Sequence, residues 1–378
     1  MRFLTAGESH GEYIVAILEG FPKGVKIEED FINKELSRRM SGFGRSKRMV
    51  IEEDIVKIVS GLRNKITLGS PIAMLVKNKD VKIFAQSSDN LNPLVVPRPA
   101  HADLAGVLKY NEKDIRNILE RASARETVAR VCVGSVCKQF LFNFGISIAS
   151  FTISVGNIVS EQKPKNVLDI IKKTENSQLN CIDRKKEALM INQINKAIKR
   201  KDSLGGLVEI WIENVVAGLG SFMHLDKRLD AKLASYLMSI PSIKGVEIGL
   251  GFGYSKNFGS EVHDQIYYNR KRGFYHKTNN SGGIEGGLST GETIILRIAA
   301  KPIATLTKPL SSVNLITKEK EKAVVERADI CAIKAVGVIA ENMCAIAITE
   351  AFLEKFGCDA LNEIKNNYNA YLKRIKAF

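Results

Sequence analysis

The sequence predicts an α+β fold, and three features of its apolar pattern carry that reading. Helix-period stretches and short strand-like runs are both present. They are mixed along the chain without the strict strand–helix–strand alternation of a doubly wound sheet. The longest helical patterns close the chain, while the first apolar run is strand-like.

Taken in order, residues 1–21 read as extended chain. Tyr13-Ile14-Val15-Ala16-Ile17-Leu18 forms a buried strand that stops at Pro22 and Gly24. Ile27, Phe31, Leu36 and Met40 recur about every four residues, the spacing of an amphipathic helix that carries Arg38 and Arg39 at its end. Val128, Val131, Cys132, Ser135, Val136 and Phe140 mark a second helix with a small, apolar face. Leu225, Leu229, Leu233, Leu237 and Ile240 mark a third. Residues 246–250 and 293–298 read as strands, and long helices are expected from about 331 to 356 and from 361 onward. Residues 161–203 are the most polar, Lys-rich stretch, yet 188–197 keep helical spacing. The whole chain, 1–378, is therefore expected as one catalytic domain, with a polar helical excursion around 161–203 and a helical tail over 357–378.

Composition narrows the class. Hydrophobic residues make up 45% and charged residues 26%, an ordinary globular balance that argues against disorder. No apolar run reads as long enough to cross a bilayer, and Glu8 interrupts the N-terminus before a secretory hydrophobic region could form. A cytoplasmic protein that binds no membrane is expected. The six cysteines are scattered without a Cys-x-x-Cys pair, which suits free thiols and gives no metal site. The net charge of +15 fits nucleic acid, anionic membrane or anionic metabolites, or merely a lysine-rich surface.

The arginines separate those options. Arg38, Arg39, Arg45 and Arg48 cluster around a Gly- and Ser-containing stretch, and Arg121 and Arg125 flank Ala122-Ser123-Ala124. Arginine in a lysine-rich chain suits bidentate grip of phosphate and carboxylate, although any single one could lie on a solvated helix face. Spread over several loops, without aromatic runs or a helix-turn-helix pattern, they suit a pocket better than a nucleic-acid groove. A basic nucleic-acid-binding protein is the non-enzyme alternative.

Two histidine motifs supply acid–base chemistry. Gly7-Glu8-Ser9-His10-Gly11 matches the G-x-S-x-G of a hydrolase nucleophile elbow, which would make Ser9 a nucleophile. Only six residues precede Gly7 and a strand-like run follows, so His10 in a tight turn is the better actor. A turn-capping role for His10 stays open. His101 lies in Arg98-Pro99-Ala100-His101-Ala102-Asp103, where proline stiffens the approach; it could equally begin a helix. Residues 279–291 form a glycine-rich loop suited to a phosphate, though neither a Walker A nor a dinucleotide fingerprint. Asp329, in Arg327-Ala328-Asp329-Ile330-Cys331-Ala332, is placed either as a functional carboxylate or as the N-cap of the helix that follows.

In this order, the segments resemble the chorismate synthase family. The matching runs are GESHG at 7–11, GRSKRM at 44–49, SGL at 60–62, GSPIAMLVKNKD at 69–80, RPAHAD at 98–103 and ERASARET at 120–127. They continue with DSLGG at 202–206, KGVEIGLGFG at 244–253, NNSGGIEGG at 279–287 and RADICA at 327–332. Coverage reaches from the N-terminus to about residue 350.

The resemblance implies a β-α-β sandwich and a homotetramer. It implies anti-1,4-elimination of phosphate from 5-enolpyruvylshikimate 3-phosphate, giving chorismate with the help of reduced FMN (FMNH2). By position, His10 and His101 match the family's acid–base histidines, and Asp329 matches the carboxylate that assists removal of the C6 proton. Arg39, Arg45, Arg48, Arg125 and Arg327 match the basic pocket, with Arg39 and Arg45 assigned to NADPH in members that reduce their own flavin. Members that do not do so depend on a separate flavin reductase. FMN positions map to Arg121, Ala122, Ser123, Pro241, Ser242, Gly286, Lys301, Pro302, Ile303, Ala304, Thr305 and Arg327. The chain departs from the family at Ala100 (usually Gly), Ala122 (Ser), Ile303 (Thr) and Lys334 (Pro), and activity is expected to survive these changes.

Overall fold

Two helices buried on nearly every side organise the computed structural model, which describes residues 1–46, 52–81, 92–326 and 328–378. In the helix Thr127–Phe142 only Arg130 and Phe142 escape burial among the named positions. The helix Ile333–Phe356 packs along it and is just as enclosed. It is long and apolar enough to cross a membrane, which corrects the expectation that no such run exists. Its faces are instead covered by the rest of the fold.

A sheet lies on each side of this pair. One has four antiparallel strands in the order Arg2–Ala6, Tyr13–Glu19, Ile72–Lys77 and Val56–Ile58. The other has five, in the order Ile243–Ile248, Ile294–Ala300, Gly206–Glu213, Ser147–Val155 and Ile158–Val159. Their alternating burial turns Ile14, Ala16 and Leu18 from one sheet, and Val208, Ile210 and Ile212 from the other, toward the helices. The α+β expectation, and the β-α-β sandwich the resemblance implied, both hold. The segment 161–203 contains two helices, Val167–Thr174 and Arg184–Arg200, packed on the Ser147–Val155 strand through Val167, Ile170, Met190 and Ile194.

Two helices start later than their apolar periodicity suggests. The first begins at Glu29 because Ile27 N–H donates to Lys65 O, while Glu29 and Asp30 favour the new N-terminus. The third begins at Leu229; Leu225 lies in a short 3-10 turn and is 82% exposed, so its period match was fortuitous.

A buried ionic cluster locks the helices together. Lys138 Nζ lies 2.6 Å from Glu35 and 2.7 Å from Glu341. Arg38 grips Glu341 with both terminal nitrogens at 2.9 Å. Ser150 donates its backbone N–H and hydroxyl to Glu341, and Asn342 donates to Glu35. Burial opposes ionisation of Glu341, but Arg38 and Lys138 outweigh it and hold the carboxyl well below its usual range.

Where the two central helices cross, Gly134 lies flush on Asn342. A methyl group there would meet Asn342 Cα at 2.6 Å, with the helix backbone unable to yield. Gly134→Ala is expected to destabilise the protein by about 1–3 kcal/mol, the usual scale of overpacking. Urea denaturation would register this as a lower midpoint with an unchanged slope.

Candidate active site

The loops at one end of the sandwich enclose a cavity of about 300 Å³, at the small end of ligand pockets. The turn carrying Ser9 and His10 comes from the first hairpin, whose last pair is Ala6↔Val15. Gly7 opens that turn at φ +104, and a side chain there would collide with Tyr13 O. A strand therefore follows the turn. The strand–turn–helix context of a hydrolase elbow is missing, and Ser9, 3% exposed, lies buried with its hydroxyl 3.2 Å from Ser123 Oγ.

Each histidine is backed by a buried carboxylate. His10 Nδ1 lies 2.7 Å from Glu120 Oε1, and His10 N–H donates to Glu120 Oε2 at 2.8 Å. His101 Nδ1 lies 2.5 Å from Asp103 Oδ1. Asp103 also accepts from the Arg98 side chain at 2.8 and 3.1 Å and from its backbone N–H at 3.0 Å. Burial pushes the Asp103 carboxyl up, but bonds from His101 and Arg98 outweigh it and hold it below the ordinary carboxylate range. Both histidine rings keep roughly a fifth of their surface exposed, 19% and 18%, whereas Glu120 and Asp103 keep 1%. The rings face the cavity and the carboxylates stand behind them.

The basic residues are paired as well. Arg39 donates to Thr127 Oγ1 at 3.0 Å and to Asp54 at 3.3 Å. Burial pushes its guanidinium down to about 10; Asp54 opposes the shift, while Arg125 and Arg45 add to it. Arg125 donates to Asn78 at 2.8 Å and lies 2.6 Å from Asp54 Oδ1, a charge contact whose angles do not make a hydrogen bond. Arg45 pairs with Asp329 at 2.8 Å, and Asp329 also accepts Ser46 N–H at 2.7 Å. Asp329 is thus no N-cap. The helix begins at Ile333, with Ala332 in the cap position and no side-chain bond.

The cavity gathers most residues singled out from sequence. His10, His101 and Asp329 line it with Arg39, Arg45 and Arg125. So do Ala122 and Ser123, Pro241 and Ser242, and the strip from Lys301 through Thr305. Arg121 does not; it turns back to Gly7 O at 3.0 Å and Thr5 O at 2.8 Å, bracing the histidine turn. Gly286 lies in a separate tight turn, where its carbonyl accepts from Arg228. Arg48 and Arg327 lie outside the described residues.

Sequence reasoning missed Glu120, Asp103, Asp54 and Arg98. Asp103 had a local signal, two positions after His101. Glu120 had none, since 110 residues separate it from His10.

Fold and cavity together point to a class: an enzyme on an antiparallel sandwich whose cavity, lined by histidines and arginines, is of a size for a small molecule. Comparison makes it specific. The sequence profile described as chorismate synthase matches residues 1–353. Over the full length of both chains, identity is 47% with chorismate synthase of Geobacter metallireducens and 48% with that of Thermoanaerobacter pseudethanolicus. With that of Aquifex aeolicus it is 46%, over 100% of this chain and 99% of the relative. A crystal structure of chorismate synthase superimposes with a TM-score of 0.83 at 40% identity, covering 100% of this chain and 98% of the other. The chain belongs to the chorismate synthase family.

The Asp103 bonds carry a pH signature. Its folded-state pKa lies below the unfolded value near 3.9, so its stabilisation is complete at neutral pH and fades as pH falls below about 4. Asp103→Asn is expected to cost about 2 kcal/mol at pH 7, the scale of charged hydrogen bonds. Urea titrations should show that gap narrowing steadily between pH 4 and pH 2; a gap indifferent to pH would contradict the assignment.

Proposed function

We propose that this chain converts 5-enolpyruvylshikimate 3-phosphate to chorismate by anti-1,4-elimination of phosphate and the C6 hydrogen. One observation carries the reading: two carboxylate-backed histidines, four arginines (Arg39, Arg45, Arg98 and Arg125) and Asp329 line a single cavity. Expulsion of phosphate develops negative charge on the leaving group, and a pocket of fixed guanidinium groups stabilises it without reorganising. Arg39, Arg45 and Arg125 hold the phosphate and carboxylates, and their own carboxylate partners keep the forks aimed. His10 and His101 supply a proton donor for the departing phosphate and a holder for the flavin proton. Asp329 assists withdrawal of the C6 proton.

Reduced FMN fits the remaining wall. Leu119, Ala335, Val336 and Ile339 form an apolar surface suited to a flat ring, beside Ser242, Thr305 and the Lys301 ammonium. Burial and neighbouring Lys244 press the Lys301 ammonium below its usual range, so an anion at that point would be welcome. Bound there, reduced flavin would supply the transient electron density that C–O cleavage needs, with no net redox change. Pro241, Ser242, Lys301, Pro302, Ile303, Ala304 and Thr305 would hold it, together with Ala122 and Ser123. Arg121 acts indirectly, through the turn that carries His10. NADPH at Arg39 and Arg45 would serve a self-reducing enzyme; otherwise a separate flavin reductase supplies FMNH2.

We place the protein in the cytoplasm as a single-domain subunit of a homotetramer. Five buried cysteines and one exposed one, all free, suit a reducing compartment. Among the described residues the Arg2–Ala6 strand is the outer strand of its sheet, and exposed Leu4 and, on the neighbouring strand, Tyr13 suit subunit contact.

Anaerobic incubation with reduced FMN and 5-enolpyruvylshikimate 3-phosphate is expected to release phosphate and chorismate stoichiometrically; no release would overturn the function. His10→Ala and His101→Ala are each expected to lower kcat by about 10²–10⁴-fold while the circular dichroism spectrum stays unchanged.

A further inference from the structure

We propose that Glu120 is a positioning residue for His10, holding its imidazole in the tautomer protonated on Nδ1 and leaving Nε2 to the cavity. Its catalytic consequence rests on the elimination reading above; its geometry does not.

Both oxygens of one carboxylate grip one residue. Glu120 Oε2 accepts the backbone N–H of His10, and Oε1 lies 2.7 Å from the ring Nδ1. A carboxylate only accepts, so the proton between Oε1 and Nδ1 belongs to the ring. Glu120 is 2% exposed, which keeps water from competing for that bond. Ser9 N–H donates to Glu120 O at 3.1 Å, so the turn is fastened to the residue by its backbone too. Nε2 points elsewhere, with Asp80 Oδ2 at 3.9 Å, beyond hydrogen-bond reach.

The arrangement at His101 differs. Asp103 shares its carboxylate with Arg98, and Arg98 Nη2 comes within 3.1 Å of the same ring nitrogen. Among the described residues, the Glu120 carboxylate serves His10 alone. Its pull on the ring is undivided.

The double grip makes Glu120→Gln informative. The His10 backbone N–H is a fixed donor, so the glutamine oxygen must take that place. The amide NH2 then faces Nδ1 and can only donate. Nδ1 becomes an acceptor, the ring proton moves to Nε2, and the NH2 opposes any second proton on Nδ1. A purely structural carboxylate would be replaced almost silently, because the amide has the same shape and still satisfies the backbone. The comparable change in a serine protease triad acts through the same tautomer reversal.

Only five histidines are present, so ¹⁵N-histidine NMR of the whole protein resolves them, with His10 assigned by substitution. Wild type is expected to keep the His10 Nδ1 proton in the neutral ring, and Glu120→Gln to move it to Nε2. In the anaerobic assay, Glu120→Gln is expected to lower kcat by about 100-fold or more with KM within about threefold. Glu120→Asp, which still only accepts, is expected to recover part of the loss. A Gln variant that keeps the Nδ1 proton, or turns over at the wild-type rate, overturns the proposal. Should that variant fail to fold, the wild-type spectrum decides alone, because a bare Nδ1 refutes the assignment. A wild type that releases no phosphate would remove the elimination reading, while the nitrogen shifts would still settle the tautomer.

Discussion

Four charges meeting in the core, on Glu35, Arg38, Lys138 and Glu341, hold the rest of the molecule in register. Such a cluster need not add net stability, since desolvation of the ions offsets most of their attraction. What it does is penalise every other arrangement, because displacing one partner leaves a buried charge and costs about 3–5 kcal/mol. It joins the Glu29–Met40 helix to both central helices and, through Ser150, to the five-stranded sheet. Arg39, the next residue after Arg38, reaches different partners, Thr127 and Asp54. The central helix does likewise: Glu341 and Asn342 serve the cluster, while Ala335, Val336 and Ile339 floor the cavity. Core and site share two helices, so a slip in one would misplace the other.

The cavity follows the same rule of paired charge. Arg39, Arg45 and Arg125 each have a carboxylate within 3.3 Å, and Arg98 has Asp103 at 2.8 Å. Unpaired guanidinium groups in such a space would repel one another, as the downward push on Arg39 from Arg125 and Arg45 shows. Carboxylates behind the arginines relieve that repulsion and fix the forks in position. On the proposed reading the forks are thereby aimed before any anion arrives, the condition under which oriented charge lowers a barrier most.

How much of this was legible in the sequence depended on distance along the chain. Periodicity placed the central helices and the Tyr13–Glu19 strand because those signals are local. It misplaced the start at Leu225, where an exposed leucine matched the period by accident. His10, His101 and Asp329 stood out through rare residue types in glycine-, proline- or arginine-bearing motifs. Their partners did not, because a buried Glu or Asp looks in sequence like any surface acid. Glu120 meets His10 across 110 positions and Asp54 meets Arg125 only in three dimensions, so neither pairing leaves a mark in spacing.

At three of the positions expected to depart from the family pattern, the contacts run through the backbone or through a new side-chain bond. Ala100 stands where glycine is usual and adopts φ +62, a conformation that costs an alanine about 1–2 kcal/mol. The loop keeps it because Ala100 contributes its carbonyl, which accepts from Lys301 Nζ. Ile303 likewise offers its backbone, accepting from Ser203 Oγ at 2.8 Å, so the lost threonine hydroxyl is not part of that contact. Lys334 goes further. Its ammonium donates to Ser177 O at 2.7 Å, its stem packs on Gly42, and Phe43 N–H donates to Gln178 O. The arginine-bearing turn at 42–45 is thereby stitched to the start of the central helix. The Lys334 side chain thus helps to hold these segments together, with Arg45 beside Asp329.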